Sequence, residues 1–174
     1  MRKPLNRRRI VPMIATALCG ALAAAGCTTA TAGTPGPASG LSPGTDVFAG
    51  MNACRVLDQL LAGQGFDPGE NKSARNECTA NKSRYGGYSL ALDPVQGLAD
   101  FRENNPGAAH IRINDRPGLY IYDTGFQLCA LAIEITEQSR VLVIASMINS
   151  PQDQTCDNAK SLAERLEPSL PTPP

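Results

Sequence analysis

The sequence predicts an α+β domain: an antiparallel sheet of about five or six strands with two or three helices packed on it, stapled by two disulfides. Three observations predict it. In the second half of the chain, apolar runs alternate with polar residues and are separated by short links, which favours antiparallel neighbours. Two segments, Cys54 to Leu61 and Cys156 to Leu166, repeat apolar residues at helical spacing. An even set of cysteines, Cys54, Cys78, Cys129 and Cys156, remains in a chain whose start reads as an export signal.

That start has three parts. A basic stretch ends at Arg9, an apolar stretch runs from Ile10 to Gly26, and small residues lead into Cys27. Residues 1–26 read as a signal peptide, too short and too rich in Ala and Gly for a membrane span. The ending Ala24-Ala25-Gly26-Cys27 resembles the bacterial lipoprotein signal, in which the cysteine is diacylated and becomes the new N-terminus. Cys19 follows the bulky Leu18 and fits that signal less well. The run Asn6-Arg7-Arg8-Arg9-Ile10-Val11 reads either as a twin-arginine export signal or as an ordinary basic leader. Two acyl chains on Cys27 would anchor the product stably at the extracytoplasmic face of the cell membrane.

Charge follows the same division. The chain has 16 Lys and Arg against 16 Asp and Glu, but Arg2, Lys3, Arg7, Arg8 and Arg9 leave with the leader. The mature 148 residues carry 11 basic and 16 acidic side chains, a net charge of −5. An acidic product lacks the basic face that nucleic acid or a polybasic lipid contact requires.

Residues 27–46 combine the lipidated cysteine with a Thr/Gly/Pro/Ser stalk that cannot bury a core and is expected to be disordered. A single domain is expected over 47–168 and a Pro-rich tail over 169–174. In the domain, Val56, Leu57, Leu60 and Leu61 mark the first helix, with Asn52 as its cap and Gly63 and Gly65 as its stop. Residues 66–75 are loop-like, a short strand surrounds Cys78, and Tyr88 to Leu92 alternates as a strand. Asp93-Pro94 is read as opening a helix that carries Val95, Leu98 and Phe101. Ile111 and Ile113 alternate with Arg112 and Asn114, Arg116-Pro117-Gly118 reads as a turn, and Leu119 to Tyr122 as a strand. Gln127 to Thr136 sets Cys129, Leu131, Ile133 and Ile135 on one face. After a turn at Glu137-Gln138-Ser139, Arg140 to Ile148 is apolar on both faces and is expected to be a central, covered strand. The last helix presents Ala159, Leu162, Ala163 and Leu166 on one face.

Four cysteines allow three connectivities. The favoured one is Cys54–Cys78 and Cys129–Cys156, because each pair ties a helix start to a strand nearby in sequence. Each closed loop would stabilise by roughly 3 kcal/mol in the chain-entropy picture. Zinc and thiol-redox sites would require close Cys-x-x-Cys spacing, which does not occur.

Taken in order, Cys27, the stalk, Cys54 with Val56-Leu57 and Leu60-Leu61, Cys78, the strand after Gly118-Leu119-Tyr120 leading to Cys129, and Cys156 opening a final helix that ends near Leu170-Pro171 resemble the actinobacterial lipoprotein family classed as domain of unknown function 3558. Ala80 stands where members of that family often carry an aromatic residue. The resemblance implies an envelope lipoprotein and implies no activity, cofactor or catalytic residue.

Catalytic patterns are sparse. His110 is the only histidine, and no Gly-x-Ser-x-Gly elbow, phosphate-binding loop or calcium loop is present. Asp123 and Glu134 are the conceivable carboxylate pair. Gly86-Gly87 reads as a strand bend. All four tyrosines, Tyr85, Tyr88, Tyr120 and Tyr122, fall in or beside strands with Arg84 and Arg116 flanking them, a combination suited to a binding surface. The expectation is a non-enzymatic, membrane-anchored domain that contacts an envelope protein, glycan or lipid. Alternatives are a carrier holding a lipid or small apolar ligand between sheet and helix, and, less favoured, an envelope hydrolase.

Overall fold

A computed structural model describes residues 46–172. The expected leader, the expected lipidation of Cys27, the expected stalk up to residue 45 and the last two prolines lie outside the described residues. The elements in chain order are α1 (Ala53–Leu61), β1 (Glu77–Lys82), β2 (Gly86–Asp93), α2 (Leu98–Asn104), β3 (Ala109–Ile113), β4 (Arg116–Asp123), β5 (Leu128–Thr136), β6 (Ser139–Met147) and α3 (Gln152–Leu166), followed by a 3-10 turn at Glu167–Ser169. All pairings are antiparallel, in one six-stranded sheet of order β1-β2-β6-β5-β4-β3.

One face of the sheet carries α1 and α3. Alternation along β5 and β6 sends Cys129, Leu131, Ile133, Ile135, Val141, Val143 and Ala145 to that face, where Leu57, Leu162 and Leu166 close the core. The Asn52 side chain accepts from the Arg55 amide at 2.9 Å to start α1, and left-handed Gly63 and Gly65 end it. Among the described residues, the opposite face is covered where α2 lays Phe101 on Leu119 and Ala132. The central position expected of the last strand is therefore met, but its second face is covered at one end alone.

The disulfides pair Cys54 with Cys78 and Cys129 with Cys156, with Cα atoms 4.9 and 5.1 Å apart. The first fixes α1 to β1 and the second fixes α3 to β5. Gly69 packs on the first: a Cβ there would stand 2.5 Å from the Cys78 sulfur.

Four local readings change. The second helix begins at Leu98, not at Asp93-Pro94, because the Asp93 carboxylate accepts from the Val95 amide in a turn and Asp100 accepts from the Gly97 amide at the true helix start. Val95 is left outside the helix and 53% exposed. The turn expected at Arg116-Pro117-Gly118 lies at Asn114-Asp115, with Asn114 left-handed at φ 50°. Pro117 is tolerated in β4 because pairing with β5 begins only at Gly118, so its missing amide costs no ladder bond there. α3 starts a turn before Cys156, with the Pro151 carbonyl accepting from the Thr155 amide and hydroxyl. Finally, Leu170, in the stretch read as tail, is buried against the core, so packing continues past residue 168.

Candidate functional site

The site follows from how much sheet two helices can cover. Six strands at ~4.8 Å spacing span roughly 24–29 Å, whereas two helices at ~10 Å each cover about four strands. α1 lies over β1 and β2 and α3 over β5 and β6, so on this face, among the described residues, the β3–β4 edge meets only the flank of α3. The result is an open groove of about 780 Å3 between α3 and that edge. Ile111, Tyr120 and Leu131 form its floor, and Asp153, Asp157 and Lys160 of α3 form its charged rim.

The groove walls are fixed at both ends of α3. Near the N-terminus of the helix the Cys129–Cys156 bond lines the groove and holds helix to strand. At the C-terminus, the β3–β4 turn clamps the helix: Arg116 Nε donates to Glu167 Oε1 at 2.8 Å, and Asn114 Nδ2 donates to Glu167 Oε2 at 3.0 Å and to the Glu164 carbonyl at 3.2 Å. The Asn114 amide, then the Arg116 guanidinium, holds the Glu167 carboxyl below its ordinary range.

The tyrosines and arginines expected to share one binding surface are dispersed. Tyr120 and Tyr122 are half-buried on β4, on the groove side. Tyr88 is a core residue, 5% exposed, and burial, reinforced by Tyr85, pushes its phenol up to about 12. Arg116 is 8% exposed and belongs to the clamp on α3. Arg84 and Tyr85 are exposed at the β1–β2 turn, where Tyr85 stands edge-on to Phe66 with centroids 5.7 Å apart and Lys82 Nζ lies 5.1 Å from its ring centroid. They belong to the end of the sheet that also exposes Ile148, whose amide donates to the Tyr85 carbonyl, and Phe126, which is 76% exposed. Each of these apolar residues adjoins a non-glycine residue with positive φ: Arg84, Gln127 and Asn149.

The groups considered for catalysis do not converge. Asp123 accepts from the amides of Gly125 and Phe126 in its own turn, and it pairs with Leu128, six residues along β5 from Glu134, roughly 20 Å away. His110 is exposed on β3, its Nε2 3.5 Å from Arg102 Nη2. Arg140 is buried under α2, where its Nη atoms donate to the Gly97 carbonyl and the Gln96 side chain; burial lowers its pKa against the opposing pull of Asp93 and Asp100. Gly86-Gly87 forms a close approach instead of a ligand loop, since a Cβ on Gly86 would lie 2.2 Å from the Ser146 carbonyl oxygen.

Tyr120 is legible in the sequence as a binding-surface residue, but the groove is not. The signal was the count of helices that could share the face with the six strands, and it was hidden because α2 packs on the opposite face. Among the described residues, no helix is long and apolar enough to cross a membrane. No curated protein and no solved structure matches the chain. The family described as "Protein of unknown function (DUF3558)" matches residues 22–169, six-stranded domain and both disulfides included, and the chain belongs to that family.

Proposed function

We propose that this chain is an actinobacterial envelope lipoprotein, anchored through diacylated Cys27 at the outer face of the cell membrane, whose domain binds a partner and performs no chemistry of its own. The observation that carries the binding reading is the groove over β3 and β4. It is open, floored by Ile111, Tyr120 and Leu131 and rimmed by charge, the anatomy of a surface that receives a segment of another molecule. The space between the helices and the central strands is occupied by Leu57, Leu131, Val143 and Leu162, each at most 1% exposed, so a carried lipid would have to lie in the same groove. A groove volume within the range of small-ligand sites keeps that carrier reading as the second one.

A photo-crosslinking residue at Lys160, on the groove rim, should capture a distinct partner from intact envelopes, and one at exposed Val95 should not. Equal capture from both positions would overturn the reading. Native mass spectrometry of the extracted protein with a stoichiometric apolar ligand would favour the carrier instead.

A further inference from the structure

β3 is an open sheet edge beside the groove. The opposite edge is shielded, because residues 67–70 run along β1, exchanging amide and carbonyl bonds between Glu70 and Thr79. β3 pairs only with β4 among the described residues. Its closing pair is Ile113–Arg116, so the alternation of an antiparallel ladder points the amides of Ala109, Ile111 and Ile113 at β4 and those of His110 and Arg112 outward. The outward row therefore holds two donor–acceptor pairs spaced for another extended strand.

The side chains around this edge differ by face. Ile111 points to the groove, over the floor it shares with Tyr120. Alternation sends His110 and Arg112, both exposed, to the opposite face, where Arg102 of α2 approaches His110; His110 also borders the groove. Arg112 is steadied by a bond from its Nη2 to the Asp115 carbonyl at 2.6 Å. An added strand would thus meet Arg112 and Arg102, with the His110 ring beside them, on one face and an apolar groove on the other.

We propose that β3 receives an extended peptide segment of a partner protein, alternating acidic and apolar residues, by strand addition. This rests on the partner-binding reading above and names the partner's chemistry. Acidic side chains opposite His110 and Arg112 complement that face, and apolar ones between them enter the groove beside Ile111. A second copy of β3 fits poorly, since antiparallel pairing about Ile111 would set Arg112 of each copy opposite His110 of the other, beside that copy's Arg102, and bring the two arginines together. The segment preceding the domain fits poorly too: it has no acidic residue before Asp46 and carries Pro35, Pro37 and Pro43.

The test uses the mature protein and a capped peptide alternating glutamate with valine, against a control alternating lysine with valine. The glutamate peptide should bind, and amide exchange at His110 and Arg112 should slow at least about tenfold while that at Ile111, already bonded to β4, changes little. The double variant Arg102→Glu/Arg112→Glu, both exposed positions, should lose the glutamate peptide by at least about tenfold and gain the lysine peptide. No binding at millimolar peptide, equal binding of both peptides, or binding without protection at His110 and Arg112 would overturn the proposal. Capture of an envelope partner equally by wild type and charge-reversed protein would overturn strand addition and leave the partner-binding reading standing; capture by neither would remove that reading itself.

Discussion

Replacing both Cys129 and Cys156 by alanine removes the bond that holds α3 to β5. The cysteines are 27 residues apart. For a loop of that length the chain-entropy relation gives about 12 cal/mol/K of lost unfolded-state entropy, or about 3.5 kcal/mol at 25 °C. Spread over the unfolding entropy of the 127 described residues, at ~2.1 cal/mol/K each, this lowers Tm by about 13 °C. Cys54–Cys78, with a separation of 24, closes a loop of nearly the same size, so the relation assigns it a loss only ~0.1 kcal/mol smaller. Urea titration of wild type and the two double-alanine variants, with thermal melts alongside, measures both losses. A loss under about 1 kcal/mol for either pair, or a gap of more than about 2 kcal/mol between them, would refute the loop-closure reasoning.

Three further outcomes follow from named contacts. Gly97→Ala should destabilise by about 3 kcal/mol, because its Cβ would stand 2.0 Å from the Glu137 carbonyl oxygen and only a backbone shift relieves it; a melt unchanged within 0.5 kcal/mol would contradict the geometry. Glu167→Gln should cost stability at neutral pH. Since the folded carboxyl is held below 4.5, that contribution is present above about pH 4.5 and is lost as pH falls through the lower folded value, so the variant's deficit in urea melts should shrink toward zero in acid; a deficit independent of pH would break the link to Asn114 and Arg116. One phenol should titrate near pH 12 in an ultraviolet absorbance titration and vanish in Tyr88→Phe. Because the folded value lies above the unfolded 10.0, stability should decline as pH rises past 10, and a wild-type titration without that late step would contradict the burial of Tyr88.

What the sequence made legible was whatever depends on local period. The helical spacing of Leu57 and Leu61, the alternation of β5 and the run of β6 all report directly on burial, and the disulfide pairing followed from placing each cysteine on its element. Features set by tertiary contact were not legible. Arg116-Pro117-Gly118 carries turn chemistry yet continues β4, because strand β5 ends its pairing one residue short of the proline. α2 starts five residues past Asp93 because Asp93 and Asp100 are both capping acids in type, and the choice is made by the packing of Gly97 against the β5–β6 turn and by the bond from Arg140. The scatter of the tyrosines over core, groove and sheet end reflects strand order, in which β2 lies beside β6 and not beside β3. The groove was invisible for the same reason, since it depends on which face each helix covers.

The proposed function depends on a domain that is exported, oxidised and held to the membrane by lipid on Cys27. Intact-mass analysis of the protein extracted from native membranes tests it most directly. The expected product is a chain beginning at Cys27, heavier than its peptide mass by a diacylglyceryl group and lighter by the four hydrogens of two disulfides. A chain retaining residues 1–26 with four free thiols in the domain would contradict it.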